Sequence, residues 1–307
     1  MRSIAATMAQ DAPGCNPLAL SCEQAKMALM ITNLSNTGPR RVLRHHWLVR
    51  VTHWGNALAI FFLLMTGMNI FGAHPRLYWG HGGSLDQVER QWLEIGAAGQ
   101  MSAPQGRLDI GNRRFDTTGV LGVSKNDSQW SVVAFPHWAT FPSGRDLATA
   151  RTWHFFAAWL LIANGLVWLG HAIVSGRLWR EIIPRLRELA PAHLWHDIVQ
   201  HLKLNFPKGE AALRYEVLQK LAYAGVALVL IPVAIFTGMA MSPGLNAAFP
   251  FLDALWGGRQ SARSVHFIAA SGIAGFLILH LVLVVLAGPI RGISAMITGR
   301  LSIGGAK

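Results

Sequence analysis

Charged residues and cysteines are both scarce in this 307-residue sequence. Only 14% of the residues are charged, whereas soluble domains usually carry about a quarter. The two cysteines, Cys15 and Cys22, form neither a CxxCH motif nor a CxxC pair. This excludes covalently attached c-type haem and argues against a cysteine-held zinc or iron–sulfur site. No secretory signal peptide is evident, because the start of the chain lacks an apolar core.

The chain contains long apolar segments, and hydrophobic residues make up 52% of it. Four segments reach the roughly 20 helical residues that a hydrocarbon core of about 30 Å requires. We name them span one to span four, at approximately 48–71, 152–174, 219–241 and 264–287. The sequence therefore predicts an all-α membrane protein built on a four-helix transmembrane bundle. No internal repeat is evident along the chain.

The basic residues predict the orientation of the spans. Lysine and arginine crowd the segments before span one, between spans two and three, and after span four. The short connection between spans three and four has only Arg259 and Arg263. Because cytoplasmic loops carry the excess of basic residues, we expect both termini on the cytoplasmic side of a bacterial inner membrane. The net charge of +12 then reflects membrane topology and not nucleic-acid binding.

We expect three parts: a cytoplasmic tail (1–43), a four-span domain (44–290) and a second cytoplasmic tail (291–307). The connection between spans one and two, residues 72–151, is much longer than the others, and we call it the insertion. It contains four tryptophans among many glycines and prolines, which linkers rarely do. We therefore predict a small, irregular but folded periplasmic insertion. Residues 178–202 have the pattern of an amphipathic helix on the membrane surface.

Five of the thirteen histidines fall inside the predicted spans. His154 and His266 lie near the periplasmic ends, and His53, His171 and His280 lie near the cytoplasmic ends. The 14 residues from His266 to His280 amount to about 40° short of four turns, so both lie on one helix face, about 21 Å apart. His154 and His171 differ by about 100°, so one of them has another role.

Ionisable residues inside a membrane span are functional by default. Imidazole is an axial ligand of haem iron, and two imidazoles per iron leave no open site, which suits electron transfer. The depths pair His154 with His266 and His53 with His280, which predicts two b-type haems whose iron these four residues bind. His171 is an alternative ligand, although a hydrogen-bonding or interfacial role is the simpler interpretation.

Three arginines, Arg50, Arg151 and Arg263, each precede a predicted ligand by three residues. One helical turn separates each arginine from its histidine. Guanidinium groups pair well with carboxylates, so these residues are candidate contacts for the haem propionates. Arginines that flank a span also serve topology, and that alternative stays open.

Several motifs resemble a known family: "RVTHW" (50–54), "RTWHFF" (151–156), "YEVLQKLAYAG" (215–225) and "VHFIAASGIAGFLILH" (265–280). They are similar to the bacterial cytochrome b subunits of formate dehydrogenase, nickel–iron hydrogenase and thiosulfate reductase, relatives of prokaryotic cytochrome b561. The resemblance covers roughly 44–72 and 150–290. It implies a di-haem electron-transfer subunit, without catalytic residues of its own, between a partner redox enzyme and the quinone pool. The family's ligand pattern matches at the same four histidines.

Two departures from the family pattern are informative. Glu216 stands where the formate dehydrogenase relatives have an asparagine close to the quinone. The resemblance therefore makes Glu216, Gln219 and Lys220 candidate quinone-site residues. The insertion resembles b-type subunits encoded beside periplasmic molybdenum oxidoreductases. That resemblance implies a periplasmic redox enzyme that docks on residues 72–151.

Two other functions stay open at this point. The first is a self-contained, quinone-linked b-type oxidoreductase that acts on a small oxidant, which would have no use for a docking insertion. The second is a haem-free membrane anchor. The haem content and a co-purifying partner distinguish the three.

Overall fold

The computed structural model describes residues 40–83, 90–100, 102–126, 129–203 and 215–303. Within these residues, four helices are long and apolar enough to cross a membrane. They are span one (Trp47–Gly72), span two (Leu147–Val174), span three (Val217–Met241) and span four (Arg259–Leu286). The prediction of a four-span membrane bundle is confirmed. Cys15 and Cys22 lie outside the described residues, and the three-part division of the chain stays a prediction.

A π-helical stretch, Gly225–Leu230, interrupts span three just before Pro232. Proline has no backbone N–H and cannot donate to the carbonyl four residues earlier, which here belongs to Leu228. Leu228, whose carbonyl loses this donor, lies within the π-helical stretch, where the helix turns are wider. Span three therefore consists of two α-helical segments, Val217–Ala224 and Ile231–Met241, joined by a bulge of the kind that occurs inside α-helices.

Span one packs against span two, and span three packs against span four. In the first of these interfaces, the Asn164 amide donates to the carbonyl of Thr52 and to Oδ1 of Asn56, both at 2.7 Å. Gly55 makes room for this amide, since a Cβ at that position would lie 3.0 Å from Asn164 Nδ2. Small residues and polar side chains of this kind bring membrane helices close together.

The insertion contains strands where the sequence predicts irregular structure. Together with one strand before span one and one after span four, the strands are β1 (Arg40–Leu43), β2 (Arg76–Tyr78), β3 (Gln91–Gln100), β4 (Ala103–Ile110), β5 (Arg113–Asp116), β6 (Gly122–Asn126), β7 (Gln129–Val133) and β8 (Arg300–Ile303). Strands β2 to β5 form an antiparallel sheet in sequence order, and β6 and β7 form a hairpin.

Glycines hide the strand pattern of the insertion. The hairpin crosses the sheet so closely that a Cβ at Gly122 would lie 1.9 Å from the carbonyl oxygen of Gly96, and one at Gly106 would lie 2.2 Å from that of Leu121. Only glycine fits such an approach of two backbones. In the sequence, these glycines favour the interpretation of an irregular segment. In the structure, the close crossing of the strands requires them.

The remaining elements are short. They are 3-10 helices at His137–Ala139 and Leu186–Leu189, a π turn at Leu178–Ile182, and the helices α1 (Pro191–Leu202), α2 (Pro243–Ala248), α3 (Phe251–Leu255) and α4 (Pro289–Thr298). The predicted surface helix over 178–202 is thus divided, because Pro184 lies between the π turn and the second 3-10 helix, and Pro191 starts α1. Strand β1 pairs with β8, so the two ends of the bundle domain lie on the same side of the membrane.

The apolar core of the insertion lies against the ends of two spans. Leu77, Leu93 and Ile95 from the sheet are buried with Phe71 at the end of span one. Phe267 of span four packs against the same cluster, with its ring centroid 4.8 Å from that of Phe71. The insertion is therefore packed directly on the end of the bundle where His154 and His266 lie.

Candidate haem site

The histidine pair nearer to the insertion, which we call the outer pair, consists of His154 and His266. Their ring centroids are 6.3 Å apart. Nδ1 of His154 is 2.9 Å from the hydroxyl of Thr66 on span one, and Nδ1 of His266 is 3.1 Å from that of Thr237 on span three. All four spans thus contribute to the outer pair.

His53 and His280 form the inner pair, with ring centroids 6.5 Å apart. The ring of Phe276 stacks on His280 at 5.7 Å, and Trp54 contacts His53 edge-on at 5.3 Å. Nδ1 of His53 is buried and has no hydrogen-bond partner among the described residues. Span four supplies one histidine to each pair, as the spacing of His266 and His280 predicts.

Both pairs fit the axial ligands of a b-type haem. A metal–imidazole bond is about 2 Å long, so two rings that bind one metal ion from opposite sides have centroids about 6 Å apart. Imidazole is a common ligand of iron. The hydrogen bonds of His154 and His266 with the two threonines and with the Ala234 carbonyl are made through Nδ1, which leaves Nε2 for a metal.

His171 lies in different surroundings at the inner end of span two. Its ring stacks on that of His46 at a centroid distance of 4.9 Å, and its buried Nε2 has no hydrogen-bond partner in the part of the chain that the structure describes. Nearby, burial and the positive charges of Arg44 and Arg177 lower the pKa of His45 to about 4. The imidazole of His45 is therefore neutral at pH 7, in an electropositive region.

Two of the three arginines predicted to contact propionates are bonded to protein groups. The guanidinium of Arg263 donates to the carbonyl of His74 and lies over the ring of Phe71, 5.6 Å from its centroid. Arg50 donates through Nη1 to the carbonyl of Ile297. Arg151 is exposed. Contact of these residues with propionates stays a prediction.

The candidate quinone residues lie at the start of span three beside groups that the sequence does not predict. Lys220 is buried, and its ammonium is 2.9 Å from both carboxylate oxygens of Glu188. Glu216 Oε2 is 3.4 Å from His201 Nε2. Burial raises the pKa of the Glu216 carboxyl despite the opposing charge of His201. Gln219, which lies between Glu216 and Lys220 in the sequence, is half-buried. The quinone role of all three residues stays a prediction.

The expectation that the chain has no internal repeat is wrong. The outer histidines stand in two similar segments, "ARTWHFFAA" (150–158) and "ARSVHFIAA" (262–270). The threonines beside them stand in two copies of Thr-Gly-Met, at 66–68 and 237–239. The burial of the copies also matches, since Ala150 and Ala262 are both 0% exposed and Ala157 and Ala269 are 3% and 2% exposed. Spans one and two are thus repeated in spans three and four around the outer pair.

A membrane bundle with two layers of facing histidines defines the class of the b-type membrane cytochromes. The family described as prokaryotic cytochrome b561 matches residues 44–299, and the chain belongs to that family. The resemblance found in the sequence is confirmed. Family membership makes this chain an integral membrane protein of electron transfer that carries b-type haem.

One relative supports the same family. It is a protein of Azospira oryzae named "Putative protein-methionine-sulfoxide reductase subunit YedZ1", 36% identical over 156 residues. The match covers 51% of this chain and 74% of the relative. No solved structure matches the chain.

Proposed function

We propose that this chain is the di-haem membrane subunit of an oxidoreductase complex. In this proposal His154 and His266 are the axial ligands of one b-type haem, and His53 and His280 are those of a second. The observation that carries it is the presence of two pairs of facing imidazoles, with centroids 6.3 and 6.5 Å apart. When bound, the haems supply one-electron chemistry.

The chain's own residues hold and orient the ligands. Span four fixes the separation of the two pairs, because one rigid helix carries His266 and His280 about 21 Å apart. The four imidazoles are half-buried among the spans. Two axial imidazoles per iron leave no position for oxygen or substrate, so the arrangement favours electron transfer over catalysis within this subunit.

A partner redox enzyme is the second part of the proposal. The relative from Azospira oryzae is named as a subunit of a reductase, which supports a partner for this chain also. We assign docking to the insertion, residues 72–151, because its folded sheet packs on the end of the bundle that holds the outer pair. The partner is a periplasmic oxidoreductase, of the molybdenum-containing class on the resemblance described above.

At the other end of the bundle, we assign electron exchange with a quinone. Glu216, Gln219 and Lys220 lie at the start of span three, on the side opposite the insertion. The Lys220 ammonium is held by Glu188, so its role is to position this region. Glu216 has a raised pKa because of burial and is suited to accept a quinol proton. Both termini are then cytoplasmic, in a bacterial inner membrane.

Haem quantification combined with optical redox titration tests the ligand assignment. The purified protein is expected to contain two haems per chain with two midpoint potentials. His280→Ala should lose the inner haem and keep the outer one, and His266→Ala should do the reverse. His171→Ala is the matched control within the membrane and should keep both haems. A colourless preparation, or equal loss of both haems in either ligand variant, contradicts the proposal.

Co-purification tests the partner. An affinity-tagged chain expressed in its native membrane is expected to retain a stoichiometric redox subunit. A deletion within the insertion should release that subunit while the haem content is unchanged. A two-haem protein that oxidises quinol with a small oxidant and never retains a second subunit would instead support a self-contained oxidoreductase.

A further inference from the structure

Each histidine of the outer pair is hydrogen-bonded to a threonine on the neighbouring span. Thr66 Oγ1 is 2.9 Å from His154 Nδ1, and Thr237 Oγ1 is 3.1 Å from His266 Nδ1. Both threonines are 0% exposed. A buried hydroxyl in a membrane span has few alternative partners, so these contacts define where each imidazole ring points.

The surrounding carbonyls fix the direction of the two hydrogen bonds. Each threonine hydroxyl lies 2.6 Å from the backbone carbonyl four residues earlier, that of Phe62 for Thr66 and that of Val233 for Thr237. The hydroxyl proton goes to that carbonyl, because a carbonyl only accepts. The threonine oxygen is then left to accept a hydrogen bond from Nδ1–H of the imidazole.

A second acceptor at His266 supports the same tautomer. Nδ1 of His266 is 2.9 Å from the carbonyl of Ala234, and two acceptors around one ring nitrogen require that this nitrogen carries the proton. A neutral imidazole protonated at Nδ1 has its lone pair on Nε2. A hydrogen bond at one ring nitrogen sets which nitrogen binds metal.

We propose that Thr66 and Thr237 are positioning residues that hold His154 and His266 in the Nδ1-protonated tautomer, with both Nε2 atoms directed to one iron. This inference rests on the proposed haem ligation by the outer pair. Ligands of metals commonly donate their other N–H to such a partner, which also makes the imidazole a stronger donor to the metal. The two threonines are thus expected to lower the reduction potential of the outer haem.

The internal repeat supports the inference independently of the hydrogen bonds. Both threonines are followed by a glycine, and a Cβ on Gly67 or Gly238 would lie 3.5 Å from Cε1 of the adjacent histidine. The two rings therefore rest against the two spans in the same way. His53 of the inner pair has no such counterpart, because its Nδ1 is without a hydrogen-bond partner among the described residues.

Thr52 provides a matched control on span one. It is 2% exposed, and its hydroxyl is 2.8 Å from the carbonyl of Leu48, four residues earlier. In the described structure its other hydroxyl contact is the carbonyl of Val49. Thr52 therefore shares the burial and backbone bond of Thr66 without the contact to an outer histidine.

The experiment is a redox titration of Thr66→Val and Thr237→Val, each with quantified haem. We expect each valine variant to keep two haems per chain and to raise one of the two midpoint potentials. The rise should be up to about 59 mV, which is a tenfold change in the redox equilibrium for one electron. The variants Thr66→Ser and Thr237→Ser should have the midpoint potential of the wild type, because serine keeps the acceptor oxygen. Thr52→Val should leave the outer potential unchanged.

Two outcomes overturn the inference while the proposed function stands. One is a pair of valine variants that keep both haems and both potentials. The other is loss of the outer haem in the serine and valine variants alike, which would show that the threonine side chains act through packing and not through the hydrogen bond. Loss of the outer haem in the valine variants with retention in the serine variants supports the inference. If His154→Ala keeps both haems, the ligand assignment itself fails.

Discussion

Ser264 of span four donates a hydrogen bond of 2.7 Å to the backbone carbonyl of Tyr78 in the insertion. The indole N–H of Trp92 donates in turn to the Ser264 hydroxyl, at 2.9 Å. Ser264 is 0% exposed and Tyr78 is 1% exposed. Because His266 follows two residues later, these bonds attach the insertion to the span that carries one histidine of each pair.

Ser264→Ala is expected to destabilise the attachment of the insertion. The change leaves the buried Tyr78 carbonyl and the half-buried Trp92 indole without this partner, and an unsatisfied buried group costs about 1–3 kcal/mol. Thermal unfolding in detergent and the rate of proteolysis within the insertion measure the effect. Thr152→Ala is the control, because Thr152 occupies the same position in the repeat, is exposed, and bonds to the Ala148 carbonyl of its own helix. Equal effects of the two variants would argue against this role of Ser264.

The spans and the depth of the histidines could be predicted because both depend on local properties. Apolar length identifies a span, and 3.6 residues per turn sets which residues share a face. The spacing of His266 and His280 therefore predicts that span four holds one histidine in each of the two layers. The burial of Ala269 beside His266 follows from the same periodicity.

Features that depend on distant parts of the chain could not be predicted in the same way. The partner of Lys220 is Glu188, 32 residues earlier, and nothing in the local sequence of either residue identifies the other. The sheet of the insertion was hidden by glycines that its close strand crossing requires. The repeat was readable in the sequence, but the 80-residue insertion separates span one from span two and makes the two halves unequal in length.

The ion pair of Lys220 and Glu188 is expected to respond unequally to removal of its two members. The Lys220 side chain is 10% exposed and that of Glu188 is 30% exposed. Glu188→Ala leaves the more deeply buried charge without its partner, so we expect it to cost about 1–3 kcal/mol, between the values for exposed and buried pairs. Lys220→Met removes the buried charge and should cost less. A larger loss of stability in Lys220→Met would contradict this order.

The same pair predicts how stability depends on pH. The hydrogen bond from Lys220 lowers the pKa of Glu188 below its ordinary value of 4.5. A lowered pKa in the folded state contributes stability that is complete above 4.5 and is lost as the pH falls through the lowered value. Melting temperatures of wild type and Glu188→Gln should therefore converge as the pH is reduced below 4.5. A constant difference between them at all pH values would show that the carboxylate charge is not responsible.

Glu216 is expected to have the opposite pH dependence. Burial raises its pKa above 4.5, so the folded state binds the proton more tightly and stability falls as the pH rises through the raised value. Glu216→Gln removes this penalty and should gain stability relative to wild type between pH 4.5 and 7. Melting curves over this range measure it. A variant that is less stable than wild type at pH 7 would indicate that the contact with His201 outweighs the burial.

The polar contact between spans one and two allows a test of how the bundle is held together. Asn164 donates to the Thr52 carbonyl and to Asn56, and hydrogen bonds between membrane helices contribute about 0.6 to 2 kcal/mol. Asn164→Ala removes both bonds and opens space beside Gly55, whereas Asn56→Ala leaves the bond to the Thr52 carbonyl in place. We therefore expect Asn164→Ala to be the more destabilising change in detergent denaturation. The double variant should be about as stable as Asn164→Ala alone, because Asn56 has already lost its donor. Additive losses would show that Asn56 contributes through other contacts.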